Sequence, residues 1–298
     1  MMSTPPLQAE DKPGAGSAAI QGQLWGAHAQ DYATYLEQVG LPLCGAVLDA
    51  AQVGPGTRLL DAGCGTGLLA VLASLRGAQV AALDASASML NIVRQRLPEA
   101  DVRQGDLEAL PFSDSSFDAV AAVNSVFYAA TMDAAMRELA RVARPGGRVV
   151  VTAWGPAERC EVLTALLPML RQLMPPPPPN AQAGPHPLQA LSQPGGLAAA
   201  LEQAGLRVVD QGEVACPFVF PSAEISWRAN RSAGPNQMAI AHSGEEAVRS
   251  ALAEADRGHT RPDGSVRYDN VFLWAAGESG DGARTGVLRA REHRTEAA

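Results

Sequence analysis

Short apolar segments alternate with amphipathic segments through the middle of the chain, from residue 57 to residue 153. The apolar segments are rich in Val, Ala and Leu, with little alternation of polar and apolar residues, which is typical of strands covered on both faces. The segments between them carry apolar residues at helical spacing. Strands that alternate with helices predict βαβ units and a parallel sheet. The predicted strands are residues 57–62, 79–83, 101–104, 117–123 and 148–153, and the predicted helices are residues 68–75, 86–97 and 132–143.

The pattern is less regular on either side of this region. Residues 1–21 are rich in Pro, Gly, Ser and Ala without any period, which predicts a disordered tail. Residues 277–298 are predicted to be a polar tail. Between the tails, further helices are predicted at residues 23–39, 44–51, 158–173, 197–204 and 245–256, and further strands at residues 206–209, 216–220 and 271–276.

A run of five prolines at residues 175–179 opens a Pro/Gly-rich stretch that reaches Pro194. Such a run is stiff and extended, so we interpret it as a rigid spacer. We therefore expect one domain over residues 22–276, with an insertion or cap at about residues 156–196.

Composition narrows the possible functions of these 298 residues. Hydrophobic residues make up 47% of the chain, which is enough for a sizeable core, and 23 Lys+Arg against 31 Asp+Glu give a net charge of −8. An acidic chain lacks the electrostatic footprint of a nucleic-acid binder. The four cysteines form no C-x-x-C pair, so neither a metal site nor a disulfide framework is predicted. The sequence shows no membrane segment and no leader, which predicts a cytoplasmic protein that does not bind a membrane.

A glycine-rich loop follows the first predicted strand. It contains Gly63, Gly65 and Gly67, and a helix begins directly after it. Glycines allow a tight turn and a close approach of a ligand to the backbone, and the helix N-terminus offers free N–H groups. The dinucleotide fingerprint requires a third glycine at position 68, where the chain has Leu68, and no lysine follows as in a phosphate-binding P-loop.

Acidic residues lie at the ends of three successive strands. Asp61 ends the first strand, Asp84 ends the second, 21 residues beyond Gly63, and Asp106 follows the third. An acid at the position of Asp84 is suited to bind the two hydroxyls of a ribose. One such acid alone would most simply be a turn or capping residue. Three acids at one edge of a parallel sheet, beside a glycine-rich loop, predict a nucleoside-binding site.

The segments that carry these residues resemble class I methyltransferases that use S-adenosylmethionine, in particular the UbiE/COQ5-like, type 11 family of quinone-biosynthesis C-methyltransferases. The resemblance is strong from Trp25 to Trp154 and weaker from Pro156 to Ala276. It implies an α/β fold, a Rossmann-like doubly wound sheet of seven strands, mostly parallel with the last strand antiparallel. The motifs are residues 61–67, 83–86, 105–112, 116–118 and 144–147, with residues 201–206 resembling a late helix–strand step of the family.

The resemblance also implies roles for individual residues. Asp61 would meet the ammonium group of the cofactor, Asp84 the ribose hydroxyls and Asp106 the exocyclic amine of the adenine. The remaining residues that it places against the cofactor are Gly63, Gly65, Gly67, Ala85, Met89, Leu107, Asn124, Phe127 and, as lid residues on the N-terminal helix, Trp25 and Tyr32. The cofactor carries an adenosine, a sulfonium and an amino acid group but no phosphate, which agrees with a loop that supplies acids. Met89, Trp25 and Tyr32 are open to a second interpretation as ordinary core residues.

The catalytic base is less defined by the sequence. Tyr128 and His28 are the candidates, with His186 and His242 as further possibilities, and each histidine is also compatible with a structural role. Residues 124–127 occupy the place where nucleobase amino-methyltransferases carry Asn-Pro-Pro-Tyr/Phe, but both prolines are missing. This difference and the negative charge argue against a DNA or RNA adenine as the substrate.

The sequence thus predicts an S-adenosylmethionine-dependent methyltransferase with a small-molecule acceptor. The apolar, Pro-rich segment after the fifth strand favours a small, fairly apolar acceptor such as a polyketide, terpenoid or quinone-like metabolite, although the segment is equally compatible with a packed cap. A protein or RNA methyltransferase and a non-catalytic S-adenosylmethionine-binding protein of the same fold are the alternatives. A monomer or a homodimer is expected.

Overall fold

A seven-stranded sheet with helices on both faces forms the centre of the computed structural model, which describes residues 17–176 and 186–280. The order of the strands is β3-β2-β1-β4-β5-β9-β6, and a separate two-stranded sheet pairs β7 with β8. The strands are β1 (Arg58–Ala62), β2 (Gln79–Asp84), β3 (Asp101–Gln104), β4 (Phe117–Ala122), β5 (Ala143–Trp154), β6 (Leu206–Ala215), β7 (Phe218–Phe220), β8 (Val266–Tyr268) and β9 (Val271–Ser279).

The direction of the strands confirms the predicted fold class. β1 to β5 pair in parallel, whereas β9 runs antiparallel to both of its neighbours, β5 and β6. The chain leaves β1 towards β2 and β3 on one side and then returns to β4 on the other. This reversal places a crevice at the carboxyl ends of β1 and β4, where open α/β sheets bind their ligands.

Twelve α-helices are described in residues 17–176 and 186–280. They are α1 (Ala18–Gly26), α2 (Ala29–Asp31), α3 (Leu41–Ala50), α4 (Leu68–Leu75), α5 (Ala87–Arg96), α6 (Met132–Val142), α7 (Leu167–Leu173), α8 (Pro187–Leu191), α9 (Gly196–Gln203), α10 (Ala223–Arg231), α11 (Gly234–Ser243) and α12 (Glu245–Arg257). A π-helical turn at Tyr32–Leu36 and a 3-10 turn at Glu37–Gly40 join α2 to α3.

The core has two halves, one on each face of the sheet. Successive residues of a strand belong to opposite halves, as the period of two requires: Leu59 packs into one half and Leu60 into the other. Val149 and Val150 divide in the same way. All four side chains are fully buried. This is why the strands appear in the sequence as continuous apolar segments.

Three expectations about the flanking elements need correction, and a fourth lies mostly outside the described residues. Residues 18–21 were expected in the disordered tail but begin α1, whereas residues 1–16 lie outside the described part of the chain. The helix expected at residues 23–39 is interrupted, because His28 has a non-helical backbone (φ −133°, ψ 47°). Residues 277–279, expected in the polar tail, complete β9, and residues 281–298 lie outside the described residues. Most of the proline run, residues 177–179, also lies outside them.

α10 and α11 were not predicted at all. The buried face of α10 contains Ser226 and Asn230 beside Trp227 and Ala229, so half of the residues that it buries are polar. α11 starts with Gly234 and Pro235, which suggest a turn when seen in the sequence. Pro at the first turn of a helix is nevertheless well tolerated, because the missing N–H has no partner there.

None of the helices in the described residues is both long and apolar enough to cross a membrane.

Candidate cofactor and acceptor site

The loop after β1 is built from glycines in the left-handed region of the backbone. Gly63, Gly65 and Gly67 have φ values of 78°, 54° and 88°. The N–H groups of Gly63 and Cys64 both donate to the carbonyl of Leu83, at 2.8 and 2.9 Å, which fixes the loop against β2. A side chain at Gly63 is excluded as well, because its Cβ would lie 2.4 Å from the Cβ of Ser125. The predicted glycine loop is therefore a rigid, close-packed turn.

Asp84 joins this loop to the end of β2. Its carboxylate accepts hydrogen bonds from the backbone N–H of Gly65 at 2.9 Å and from that of Ser86 at 2.8 Å. Burial raises the pKa of Asp84, and the N–H donors partly oppose that rise. The carboxylate is thus oriented by the backbone and lies in the wall of a large cavity.

Asp61 is the most buried acid of the site, with 1% of its surface exposed. Its carboxylate accepts from the N–H of Ala70 in the first turn of α4 at 3.1 Å, where the positive end of the helix dipole favours a negative charge. Burial nevertheless raises the pKa of Asp61 to about 7, and the negative charge of Asp84 adds to the rise. A cationic group bound beside Asp61 would stabilise its charged form.

The third acid closes the same edge of the sheet. Asp106 accepts from the backbone N–H of Glu108 at 3.0 Å and lines the cavity together with Leu107. Ala85 and Met89 line the cavity on the other side. The carbonyl of Ala85 accepts from the side-chain amide of Gln104 at 2.9 Å.

The loop after β4 forms the floor between these groups. Asn124 adopts a left-handed conformation (φ 50°), which asparagine tolerates better than most residues. Its N–H donates to the Thr152 hydroxyl at 2.9 Å, and that hydroxyl donates to the Asn124 side-chain oxygen at 3.0 Å. Ser125 donates to the carbonyl of Ala62 at 2.9 Å. These bonds hold Asn124 and the following Phe127 at the cavity.

Aromatic side chains from two segments meet above the glycine loop. The Trp25 ring packs edge-on against Tyr32 and Tyr128, with centroids 5.9 and 5.4 Å apart, and Tyr128 packs on Phe127 at 4.7 Å. A Cβ on Gly65 would lie 3.6 Å from the Tyr32 ring, so Tyr32 lies directly over the loop. The N-terminal segment therefore covers this part of the cavity.

A single cavity of about 1370 Å³ joins these features. Nearly all predicted site residues line it: Trp25, Tyr32, Asp61, Gly63, Gly65, Asp84, Ala85, Met89, Asp106, Leu107, Asn124, Phe127 and Tyr128. Gly67 does not, because it turns the chain into α4 and packs against Val93. His28 and His242 are also outside the cavity wall, so the structure does not bring His28 to the site where a base was expected.

Two of the candidate bases reach the cavity. Burial raises the pKa of Tyr128 far above its ordinary value, so its hydroxyl keeps its proton at neutral pH. Burial and the nearby charge of Arg171 lower the pKa of His186, so its imidazole is neutral there. Tyr128 is therefore suited to hydrogen bonding and poorly suited to accept a proton from the substrate.

Two clusters of ion pairs, which the sequence did not predict, attach the N-terminal segment (residues 17–40) to the glycine loop, α5 and α10. Glu37 accepts from the Thr66 hydroxyl of the glycine loop and pairs with Arg96 at 2.7 Å. Asp31 pairs with Arg228 at 2.6 Å and with Arg231 at 2.7 Å, both on α10. No local sequence signal links these residues, since they are up to 200 positions apart.

The residues present fit an adenosine with an attached amino acid group. Carboxylates at three strand ends match hydroxyls, an amine and an ammonium, and the glycine loop lines the same cavity as they do. Asp61, Asp84 and Asp106, with the loop between Gly63 and Gly65, are the groups that would hold it. The arrangement can bind a nucleoside-like sulfonium cofactor and position it against the rest of the cavity.

Comparison with known proteins agrees with this geometry. Residues 60–151 match the family model described as "Methyltransferase domain". These residues belong to the S-adenosylmethionine-dependent methyltransferases. The methyltransferase domain thus contains β2, β3 and β4, most of β1 and β5, and all three acids, and the expected family, fold and cofactor are confirmed.

The relatives of the methyltransferase domain are similar over part of their length. An uncharacterized protein of Mycobacterium bovis is 35% identical over 141 residues, covering 46% of this chain and 51% of the relative. The demethylmenaquinone methyltransferase of Renibacterium salmoninarum is 41% identical over 105 residues, covering 35% and 44%. The chain thus spans about half the length or less of these curated relatives.

Structural similarity to solved proteins covers more of the chain than the sequence similarity does. The [4+2]-cyclase SpnF aligns with 91% of this chain and 99% of its own, with a TM-score of 0.58 and 20% sequence identity. At this identity the likeness shows the fold alone. It covers the segments on both sides of the methyltransferase domain.

Proposed function

We propose that the protein transfers a methyl group from S-adenosylmethionine to a small, fairly apolar metabolite by in-line displacement. The observation that carries this proposal is a single cavity whose lining has two chemically different parts. One part is the glycine loop with the three acids of the methyltransferase domain. The other part consists of apolar side chains from α3, α7, β7 and β9.

The apolar part of the lining supports the proposed acceptor class. Its walls contain aliphatic residues of the segment expected as a cap, and aromatic residues of the sheet. They are Val162, Leu163, Leu166, Leu167, Leu170, Met174, Trp154, Phe218 and Phe272, together with Leu36 and Val39 from the N-terminal segment and Leu43 from α3. Apolar walls with a few polar groups are typical of pockets for small organic ligands. The malonyl-acyl-carrier-protein O-methyltransferase of Erwinia pyrifoliae and the demethylmenaquinone methyltransferase are relatives whose names also refer to metabolic acceptors.

In this proposal the residues of the chain bind, orient and exclude water. When bound, the cofactor supplies a methyl group that is already activated as a sulfonium. Orientation of two reactants in one site contributes on the order of 7–11 kcal/mol to such reactions. Asp61 and Asp84 hold the cofactor, while Tyr128 and Asn124 line the same cavity. Trp25 and Tyr32 cover the site, which excludes water.

The experiment uses the purified protein, cofactor with a deuterated methyl group and a metabolite extract, with mass spectrometry to detect the label. Label on a small apolar molecule is the expected result. Label on protein or RNA instead would contradict the acceptor class. If no label appears although the protein binds S-adenosylhomocysteine by calorimetry, a non-catalytic binding protein replaces the proposed enzyme.

A further inference from the structure

Two asparagines lie in the wall of the cavity, on the helices that the sequence did not predict. Asn230, near the end of α10, is 8% exposed, and Asn236, in the first turn of α11, is 4% exposed. A polar side chain this deeply buried requires hydrogen-bond partners, because an unpaired group loses its water without compensation. Both residues line the cavity beside Trp25, whose ring packs on Gly234 of the same helix pair.

A chain of hydrogen bonds fixes the orientation of the Asn230 carboxamide. The Tyr268 hydroxyl donates to Asp256 at 2.7 Å, and the Ser226 hydroxyl donates to the same carboxylate oxygen at 3.2 Å. Because Ser226 uses its proton for Asp256, its oxygen accepts from the Asn230 side-chain amide at 3.3 Å. The amide also donates to the carbonyl of Ser226 at 2.9 Å. The nitrogen of Asn230 must therefore face Ser226, and its side-chain oxygen faces away from that residue.

Asn236 is oriented by the same reasoning. Its side-chain amide donates to the backbone carbonyl of Asn230 at 2.6 Å, and a carbonyl oxygen can accept only from the nitrogen side of the amide. Among the described residues, no donor reaches the side-chain oxygen of either asparagine, and neither oxygen is fully enclosed by protein atoms. Both residues line the cavity, so each supplies an oriented oxygen that can accept a hydrogen bond from a ligand there.

We propose that Asn230 and Asn236 determine which substrate is methylated, because each accepts a hydrogen bond from a hydroxyl or N–H group of an uncharged, otherwise apolar substrate. This inference rests on the proposed function and deepens it, because it defines the substrate as a molecule that donates a hydrogen bond, such as an alcohol or phenol. An ether or ketone has no proton to give, and a carboxylate would place its oxygens against two further oxygens. Such a site rejects analogues that leave its buried polar groups unpaired.

The test compares 2-naphthol with 2-methoxynaphthalene and 2-naphthoate. Binding of each probe is measured by calorimetry on the full chain with saturating S-adenosylhomocysteine. We expect 2-naphthol to bind about threefold to tenfold more tightly than the ether, which corresponds to one hydrogen bond, and the carboxylate to bind more weakly than both. In Asn236→Leu and Asn230→Leu this preference for the alcohol disappears. The control is Gln189→Leu, a change at an exposed residue that lines the same cavity. This control variant should keep the preference for 2-naphthol over its ether.

Equal binding of 2-naphthol and its ether by the unchanged protein overturns the proposal, as does a preference that survives in both asparagine variants. The comparison of the two probes on the unchanged protein decides the question even if a variant does not fold. Binding of S-adenosylhomocysteine is measured in the same titrations. Its loss would contradict the proposed function, whereas its retention with equal probe affinities contradicts only the role of the asparagines.

Discussion

The backbone N–H of Gly65 donates to the side-chain oxygen of Asp84 at 2.9 Å, and this bond links the loop after β1 to the end of β2. Gly65 has a left-handed backbone that directs its N–H to the carboxylate, and the Ser86 N–H holds the second oxygen at 2.8 Å. The two strand ends to which we assign the cofactor are thus joined and oriented by the protein itself. Such preorganisation lowers the entropic cost of binding.

The charge of Asp84 is expected to matter more than its hydrogen-bonding capacity. Asp84→Asn keeps the size and one acceptor oxygen but removes the charge, so affinity for S-adenosylhomocysteine should fall by about 1.5–3 kcal/mol, the usual value of a hydrogen bond to a charged group. Isothermal titration calorimetry measures the change. Asp101→Asn is the control, because Asp101 is exposed at the start of β3 and pairs only with Arg103 among the described residues. Unchanged affinity in Asp84→Asn would remove this residue from the site.

Asp61 should make the stability of the protein depend on pH. Its pKa is about 7 in the folded protein against an ordinary value of 3.8 for a solvated aspartate, so the folded form retains a proton that the unfolded form loses. This contribution to stability is fully present below about pH 4 and is lost as the pH rises through 7. Asp61→Asn has no such loss, so we expect it to be more stable than the unchanged protein at pH 8 by on the order of 2–4 kcal/mol.

Urea denaturation at pH 5 and pH 8 measures this effect. The difference between Asp61→Asn and the unchanged protein should be smaller at pH 5 than at pH 8, because the loss begins near pH 4 and is complete above pH 7. The same variant should bind S-adenosylhomocysteine less tightly at pH 8, because it lacks the negative charge opposite the ammonium group. A variant that gains no stability between the two pH values would show that Asp61 is ionised in the folded protein.

Two glycines in helices provide a matched test of how closely α1 packs against Ala85. A Cβ on Gly22 would lie 2.6 Å from the carbonyl oxygen of Ala85, whereas a Cβ on Gly45 in α3 meets nothing within 4 Å. Alanine favours a helix over glycine by about 1 kcal/mol at either position. Gly45→Ala should therefore raise the melting temperature. Gly22→Ala should instead separate α1 from Ala85, lowering the melting temperature and the affinity for S-adenosylhomocysteine. A rise in both variants would mean that the contact with Ala85 is easily relieved.

The central sheet and its acids were accessible from sequence because their signals are local. The helix Leu68–Leu75 and the strand Asp101–Gln104 were predicted with the bounds that the structure shows, since apolar period and flanking turns define both. The positions of Asp61 and Asp84 followed from the same pattern. In parallel sheets, the ends of consecutive strands fall on one edge without any knowledge of side-chain packing.

The helices and residues that line the proposed substrate part of the cavity could not be predicted from the sequence in the same way. α10 buries Ser226, which donates to Asp256 on α12, and Asn230, which lines the cavity, so only part of its buried face is apolar. His28 was expected near the reaction because histidines are common bases, yet its placement depends on where the chain turns after α1. The pairing of Asp31 with α10 depends on residues about 200 positions away. Long-range partners of this kind leave no spacing that a single sequence displays.

The pairing of Asp31 with α10 is expected to stabilise the N-terminal segment that covers the cavity with Trp25 and Tyr32 (the N-terminal cover). The Asp31 side chain is 11% exposed and lies between Arg228 and Arg231. Burial acts to raise the pKa of Asp31, but hydrogen bonds and charges from the two arginines outweigh it and lower the pKa. Its contribution is therefore present at neutral pH and lost as the pH falls below about 4.

Asp31→Ala removes the shared partner of both arginines, and we expect a loss of about 1–3 kcal/mol in the free energy of unfolding at pH 7. This is less than for a fully buried pair, because Arg228 is 39% exposed. Glu224→Ala on the same helix is the control: Glu224 and Arg249 form an exposed pair, for which less than about 1 kcal/mol is expected. Urea denaturation at pH 7 compares the two variants. Equal losses would mean that water screens Asp31 as effectively as it screens Glu224, and that the cover is held mainly by the contacts of Trp25 and Gly22.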